Sequence, residues 1–287
     1  FIFLCVIIAG GVLGYKGYEE YKKALSEESV KEMAARIEEQ PNYTTIDELP
    51  QTYIDAVLSV EDKRFYDHFG VDPIAVGRAF FNDVKAGAYV EGGSTITQQL
   101  LKNKVFTNWT SEYAQLERFT RKVQEQYLAI QVEKKTDKDT ILENYLNTIN
   151  LGAGAYGVQA AARQYFAKDV WDLNLSECAT LAGITQNPTK FNPILNPDSN
   201  KKRRKEVLQH MLDQNYITEE QYKEALEDDV YSRIQAAQEK HSGNSNTIYT
   251  YFEDELTDQI INDLMNIKGY TKTQATNLLY SGGLKVY

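Results

Sequence analysis

Residues 92–103 read GGSTITQQLLKN, and the prediction of the fold starts from this stretch. Its two glycines let the backbone bend sharply and approach a ligand closely. Ser94 or Thr95 can then cap a helix, which the apolar spacing of Ile96 and Leu100 predicts. A helix N-terminus offers unpaired N–H groups and the positive end of the helix dipole, which suits phosphate oxygens. A glycine turn before an ordinary capped helix explains the run equally well, and the GxxxxGK[ST] spacing of a P-loop is missing.

Helical patterns also account for most of the remaining chain. Apolar residues recur at helical spacing over residues 49–66, 73–84, 111–134, 138–147, 158–166, 175–183, 201–214, 218–225 and 249–267. Three glycines punctuate a turn at residues 152–157, and three Asn-Pro pairs make residues 187–197 irregular, since proline cannot continue a helix. Strand signals are scarce, so the fold is predicted to be mainly α.

Composition narrows the possible functions. The chain has 287 residues, of which 42% are hydrophobic, enough for one large domain or two small ones. A net charge of −10 and the lack of a basic run interleaved with aromatics argue against general nucleic-acid binding. Cys5 and Cys178 predict no disulfide framework, and the three histidines are too far apart for a zinc signature. A hard cation held by carboxylates stays open.

Two carboxylates stand out as candidate site residues. Glu61 falls on the apolar stripe of the helix predicted at 49–66, so it is either a satisfied structural group or a carboxyl tuned toward neutrality. Arg121 and Glu125 are four residues apart on one helical face, with Lys122 beside them. An exposed ion pair at this spacing would contribute only about 0.3–0.5 kcal/mol, and the residues alone favour that interpretation.

The N-terminal run FIFLCVIIAGGVLG, residues 1–14, is apolar without interruption. A membrane-spanning helix needs about 20 such residues, so the run is predicted to be a truncated transmembrane anchor, with the tail of a cleaved signal peptide as the alternative. Residues 15–45, charged and aromatic with helical spacing, are predicted to form a juxtamembrane stalk. The basic run at 201–205 is either a solvated helix face or a contact for acidic headgroups or a phosphate.

Four ordered motifs resemble those of the peptidoglycan glycosyltransferases (glycosyltransferase family 51), which form the N-terminal domains of class A penicillin-binding proteins. These motifs are EDKRFYDHFGVD at 61–72, the run at 92–103, RKVQE at 121–125 and ILENYLN at 141–147. The resemblance predicts a glycosyltransferase domain over residues 46–230. It also predicts that residues 231–287 are a linker leading to a transpeptidase domain, because GGLKVY at 282–287 looks like the family's lead-in to that domain.

The resemblance implies a lysozyme-like, two-lobed helical fold with an N-terminal membrane helix and the smaller lobe against the membrane. It implies that the chain polymerises lipid II. The growing strand bears undecaprenyl pyrophosphate at its anomeric carbon and is attacked there, with inversion, by the 4-hydroxyl of the incoming lipid II. The implied partners are lipid II, the glycan strand, the membrane and possible cell-wall synthesis proteins, with no nucleic acid. The implied location is the bacterial cell membrane, with a single span and an extracytoplasmic catalytic domain.

The same resemblance implies a role for each motif residue. Glu61 matches the catalytic base. Glu125 matches a second essential acid, predicted to hold a divalent cation, Mg²⁺ or Mn²⁺, or to orient the pyrophosphate site. The substrate-binding residues implied are Arg64, Lys102, Arg121 and Lys122 as cations, Ser94, Thr95, Gln98 and Gln99 as hydrogen-bonding groups, and Asp62 and His68 on the acceptor side. The family often has a further basic residue where this chain has Glu117, and Arg118, one position away, is a weak substitute.

Two other functions stay open at the level of sequence. A lysozyme-like muramidase would use a carboxylate in a helical cleft, but it has no need of a pyrophosphate site at residues 92–102. A non-catalytic cell-wall scaffold would need neither Glu61 nor Glu125.

Overall fold

A computed structural model describes residues 37–40, 42–87, 92–105, 115–243 and 251–281. Every regular element in this part of the chain is a helix, and an isolated antiparallel bridge joins Asn150 to Tyr156. The predicted mainly α fold is thereby confirmed. No helix within the described ranges is long and apolar enough to cross a membrane. The anchor predicted at 1–14 and the ending predicted at 282–287 lie outside the described residues.

Twelve α-helices make up the described fold. They are α1 (Gln51–Glu61), α2 (Pro73–Ala86), α3 (Ile96–Lys104), α4 (Gln115–Glu133), α5 (Lys138–Thr148), α6 (Val158–Phe166), α7 (Leu175–Ile184), α8 (Pro197–Asp213), α9 (Glu219–Glu227), α10 (Val230–Gly243), α11 (Tyr251–Lys268) and α12 (Lys272–Ser281). Short 3-10 turns at Ile46–Glu48 and Val170–Asp172 precede α1 and α7. The described residues fall into two compact units: unit 1 is built on Arg64–Leu142, and unit 2 on Glu39–Lys63 and the residues from Glu143 onward.

Unit 1 packs α3 against α4 and ties the turn before α2 to both. Gly70 in this turn has φ +101°, and a Cβ there would lie 2.5 Å from the carbonyl carbon of Ala129 on α4. Only glycine fits so close an approach. Asp72 begins α2, because its Oδ1 accepts the backbone N–H groups of Ile74 and Ala75 at 2.9 and 3.0 Å.

Unit 2 is organised around α7, which is buried from Ser176 to Ile184 and packs against α1 and α8. Asn174 caps this helix through a capping box with Glu177. The Glu177 carboxylate is fully buried and is compensated by Lys168 and Arg233, whose nitrogens lie 2.9 and 2.7 Å from Oε1. The buried helix therefore carries its own neutralised charge.

The predicted helix boundaries hold for most elements and fail at two. The helix predicted at 158–166 coincides with α6. The helix predicted at 49–66 ends at Glu61, because Asp62 leaves helical geometry with φ −161° and ψ 72°. The helix predicted from residue 201 begins at Pro197, since proline is favoured in the first turn.

The basic run at 201–205 is not a single solvated face, which corrects one reading of the sequence. Its three lysines are exposed. Arg203 and Arg204 point inward, and Arg204 donates to Ser176 Oγ at 2.9 Å.

Residues 231–243, predicted as linker, lie in α10, which packs on α6 as part of unit 2.

Candidate active site

Glu61, the predicted base, is the last residue of α1 and is partly exposed. Its Oε1 accepts the hydroxyl of Thr185 at 2.5 Å, and Thr185 directly follows α7. Two fully buried phenols, Tyr53 and Tyr145, lie near enough to sense its charge. Burial raises the pKa of both, with Glu61 as a smaller contribution in the same direction, so both stay neutral at pH 7. Asp62 follows directly and is buried.

The third motif forms a compact cluster with the second. Glu125 is fully buried on α4, and its Oε1 accepts the guanidinium of Arg121. Lys122 lies 3.0 Å from the other carboxylate oxygen and donates to Ser94 Oγ at 2.7 Å. The exposed-ion-pair interpretation of Arg121 and Glu125 is therefore wrong. Counted over Arg121, Lys122 and Glu125 alone, two cations meet one carboxylate, which is an excess of positive charge, and the Lys122 side chain is 39% exposed.

The second motif makes the start of α3. Thr95 is its N-cap: Oγ1 accepts the N–H of Gln98 at 3.2 Å and donates to the carbonyl of Gly70 at 2.7 Å. Gln98 completes a capping box, because its Oε1 accepts the N–H of Thr95 at 3.0 Å. The other end of this amide, the buried Nε2 of Gln98, has no hydrogen-bond partner in the described part of the chain. Gln99 and Lys102 lie further along α3 and are partly exposed.

Two predicted substrate contacts of the first motif bind other protein groups. The Arg64 guanidinium is bidentate to Asp72, with Nε 3.0 Å from Oδ2 and Nη2 3.1 Å from Oδ1. Burial alone would raise the pKa of Asp72, but hydrogen bonds from the Ala75 N–H and from Arg64 hold that pKa below its usual value. His68 is buried, and its Nδ1 accepts the N–H of Gly70 at 3.1 Å. Both residues thus hold the turn that precedes α2.

Sequence reasoning missed a second polar cluster in unit 1, around Glu133. This carboxylate accepts the hydroxyl of Thr97 at 2.5 Å and pairs with Lys138 at 2.7 Å, and its Oε1 lies 3.7 Å from His68 Nδ1. Lys138 also lies over the Phe65 ring, 4.5 Å from the centroid. Glu133 and Lys138 are five residues apart across a helix break, so no helical spacing rule could pair them. Sequence reasoning also missed Thr185, which donates to Glu61, because no motif or spacing near residue 185 indicates a contact with a residue so far away in the chain.

The residues present do not fit a metal ion held by the protein at Glu125. Both oxygens of this carboxylate already bind cationic side chains. A divalent cation takes about six oxygen ligands, and within the described ranges no group of three or more His, Cys, Asp or Glu side chains could hold one. The cluster fits an anion better. Arg118 lies in the first turns of α4, where the side chains fall outside the described part.

Comparison with known proteins gives consistent relatives. A family model described as Transglycosylase matches residues 27–212. Penicillin-binding protein 1A of Aquifex aeolicus (strain VF5) is 40% identical over 245 residues, which cover 85% of this chain and 30% of the relative. Penicillin-binding protein 1A of Clostridium acetobutylicum is 41% identical over 252 residues, 85% of this chain and 31% of the relative. Penicillin-binding protein 1F of Bacillus subtilis (strain 168) is 46% identical over 187 residues, 65% of this chain and 25% of the relative.

The chain spans about a third or less of the length of these curated relatives. Among solved structures, the crystal structure of penicillin-binding protein 1A from Haemophilus influenzae is 27% identical and covers 65% of this chain and 17% of that one, with a TM-score of 0.39. A TM-score this low adds nothing to the fold described above.

Proposed function

Because the chain belongs to the transglycosylase family, we propose that it joins lipid II units into β-1,4-linked peptidoglycan strands and releases undecaprenyl pyrophosphate. The observation that carries the proposal is the cluster of Ser94, Arg121, Lys122 and Glu125 beside the start of α3. Its excess positive charge and the helix N-terminus both favour a diphosphate. Fixed positive charge aimed at a departing pyrophosphate lowers the barrier, because negative charge develops there in the transition state.

In this proposal Glu61 removes the proton from the acceptor 4-hydroxyl as that oxygen attacks. A positioned base typically contributes about 10²–10⁴-fold to the rate. The hydroxyl of Thr185 fixes one carboxylate oxygen, which orients the group. Glu61→Gln keeps the shape and removes the basic oxygen, so polymerisation should fall by about that factor. Glu224→Gln, at an exposed position on α9, is the matched control and should keep full activity.

Gel separation of the products from labelled lipid II tests the reaction itself. The chain should produce a ladder of long strands. Lys122→Gln should lower the rate on the order of 10²-fold, as loss of one transition-state donor does, whereas Lys134→Gln, exposed just beyond α4, should not.

A wild-type chain that leaves lipid II unchanged would overturn the proposal. Release of soluble muropeptides from lipid-free cell wall would support the muramidase instead, and full function of a Glu61→Gln, Glu125→Gln double variant in cells would support the scaffold.

The divalent cation remains part of the proposal, with its ligands reassigned. Since Glu125 is already paired with Arg121 and Lys122, a cation would depend on oxygens of the substrate diphosphate. Calorimetry should therefore detect no binding of Mg²⁺ to the chain alone, while a chelator should lower polymerisation. Tight Mg²⁺ binding without substrate would contradict this assignment.

Exposed apolar side chains support the membrane as a partner. Six large ones lie between residues 66 and 84 of unit 1 and are 40–67% exposed: Tyr66, Phe69, Ile74, Val76, Phe81 and Val84. So many large, exposed apolar side chains within one segment favour an interaction with lipid or protein. We assign it to the bilayer that holds lipid II. The lysozyme-like two-lobed arrangement is part of the same proposal, and an experimental structure with bound substrate would test it.

A further inference from the structure

Unit 2 contains a cavity of about 550 Å³ that the proposed reaction does not use. Its wall is formed by the glycine turn at residues 150–156, by the loop at 188–195, and by Gln164 of α6 and Gln238 of α10. Sites for small ligands usually measure about 300–1,000 Å³, so the cavity has the size of a binding site.

In this wall Ala153 has a strained backbone between two glycines. Gly152, Ala153 and Gly154 have φ values of +77°, +50° and +75°, and a non-glycine residue in this region costs about 1–2 kcal/mol. A Cβ at position 152 would lie 3.0 Å from the Pro188 carbonyl oxygen and 3.4 Å from Asn192 Nδ2, so this position has no room for a side chain. Backbone strain of this kind gathers at ligand sites.

The lining is polar without charge. None of the described residues that line the cavity is charged, although 25% of the chain is. Asn192 is 4% exposed, and its Oδ1 accepts the N–H groups of Ile194 and Leu195 at 2.9 and 3.1 Å. Its Nδ2 is the donor end of the amide and faces the glycine turn, 3.4 Å from where a Cβ at position 152 would lie. An amide donor in the wall of an uncharged cavity can bind a carbonyl oxygen of a ligand or a water.

The remaining groups complement a neutral, amide-bearing ligand. Gln238 donates through Nε2 to the backbone oxygen of Gln164 at 2.8 Å, which leaves its own amide oxygen as an acceptor. Leu195, 71% exposed, adds an apolar surface at the rim. A donor, an acceptor and an apolar contact are what an acetamido group needs, because it presents a C=O, an N–H and a methyl.

We propose that this cavity binds N-acetylhexosamine rings of the glycan strand, an inference that rests on the proposed function. The loop in its wall leads directly from the predicted base: Thr185, which donates to Glu61, precedes Pro188 by three residues. Three residues span at most about 11 Å. A strand reacting at Glu61 can therefore place another of its rings in the cavity. A second contact raises the effective concentration of the bound strand and lengthens the products.

Binding is tested with the whole chain and a soluble probe, the tetramer of N-acetylglucosamine, followed by calorimetry or NMR. The tetramer should bind saturably, and a glucose tetramer without acetamido groups should bind at least about tenfold more weakly. Asn192→Asp keeps the oxygen that accepts the two loop N–H groups but replaces the amide donor by a charge. It should weaken the tetramer about tenfold or more and shorten the glycan made from lipid II. Leu195→Asp, at a solvent-exposed position, should act in the same direction.

Two exposed positions on α11 provide controls with the same chemical changes, Asn262→Asp and Ile267→Asp, and neither should alter binding or strand length. Equal binding by wild type and Asn192→Asp, or equal binding of the two tetramers, overturns the cavity proposal even if the chain polymerises lipid II. If binding depends on Asn192 but no variant polymerises lipid II, the cavity assignment stands and the proposed reaction fails.

Discussion

Single residues of the first motif serve the local structure as much as the chemistry. His68 and Asp72 bind backbone N–H groups of their own turn, and Arg64 binds Asp72. Gly70 lets this turn touch α4. The sequence resemblance identified these positions, but it could not show whether each residue contacts substrate or supports the turn. Either role requires a particular residue type at the position, so the two give the same motif. Glu61 accepts the hydroxyl of Thr185, a residue that lies far along the chain from the first motif.

Gly70→Ala should show how strictly the turn depends on glycine. The new methyl would meet the Ala129 backbone at 2.5 Å and occupy an unfavourable φ, so unfolding free energy should fall by about 2–5 kcal/mol. Gly87→Ala is the control: its φ is +65°, but no atom lies within 4 Å of the added Cβ, so only the backbone penalty of about 1–2 kcal/mol applies. Urea denaturation measures both. Equal losses would mean that the close approach to α4 contributes nothing.

Asp228 should make unit 2 sensitive to acid. The guanidinium of Arg233, 2.6 Å away, lowers the pKa of Asp228 from 3.8 to about 2. A lowered pKa stabilises the fold above the unfolded value and loses that effect as pH falls from about 4 to 2. The contribution is about 2 kcal/mol. At pH 7 the unfolding free energy of wild type should exceed that of Asp228→Asn by about this amount, and at pH 2.5 most of this excess should be gone. Asp213→Asn, at an exposed position on α8, should follow wild type at both pH values. Parallel pH curves for wild type and Asp228→Asn would contradict the assignment.

At the scale of elements, the sequence predicted helices well where a cap and an apolar stripe agreed. Thr95 before α3 and Thr218 before α9 are both capping-box residues, and both helices lie where the pattern indicated. The errors arose where tertiary contacts decide. The inward direction of Arg204 is set by Ser176 and by backbone oxygens far along the chain. The pairing of Glu133 with Lys138 crosses the end of α4.

The two caps give a matched pair of variants. Thr95→Ala removes a buried cap and the bond to the Gly70 carbonyl, so we expect a loss of about 2–3 kcal/mol and slower polymerisation, because the start of α3 moves. Thr218→Ala removes an exposed cap and should cost about 0.5–1 kcal/mol, with activity unchanged. Thr95→Ser keeps both bonds and should recover most of the stability. If Thr95→Ala lowered the unfolding free energy no more than Thr218→Ala does, the hydrogen bond from Thr95 of the second motif to the Gly70 carbonyl of the first would contribute nothing to stability.

At the scale of the whole molecule, sequence and structure contribute different parts of the candidate site. Four motifs in order predicted the family, and the structure joins the second to the third through Lys122 and Ser94. The motifs could not reveal that Glu125 is fully buried, because burial depends on how α4 packs in unit 1. They also gave no sign of the uncharged cavity in unit 2, whose lining comes from segments dispersed along the chain.

The exposed apolar side chains between residues 66 and 84 lead to a prediction about how the chain meets a bilayer. If the exposed apolar side chains of unit 1 lie on the lipid, a probe at position 81 should sit among acyl chains. A probe at position 267, which is also exposed but does not belong to that group of side chains, is the comparison. Phe81 and Ile267 are 67% and 74% exposed, so neither substitution disturbs a core. We expect bimane on Phe81→Cys, in a Cys5→Ser background that leaves only the buried Cys178, to be quenched by brominated lipids, and bimane on Ile267→Cys to be quenched little. The comparison uses one chain with the same N-terminal run in both variants, so a difference reports the position of α2 and not anchoring as such. Equal quenching at the two positions would assign the apolar surface to a protein partner instead.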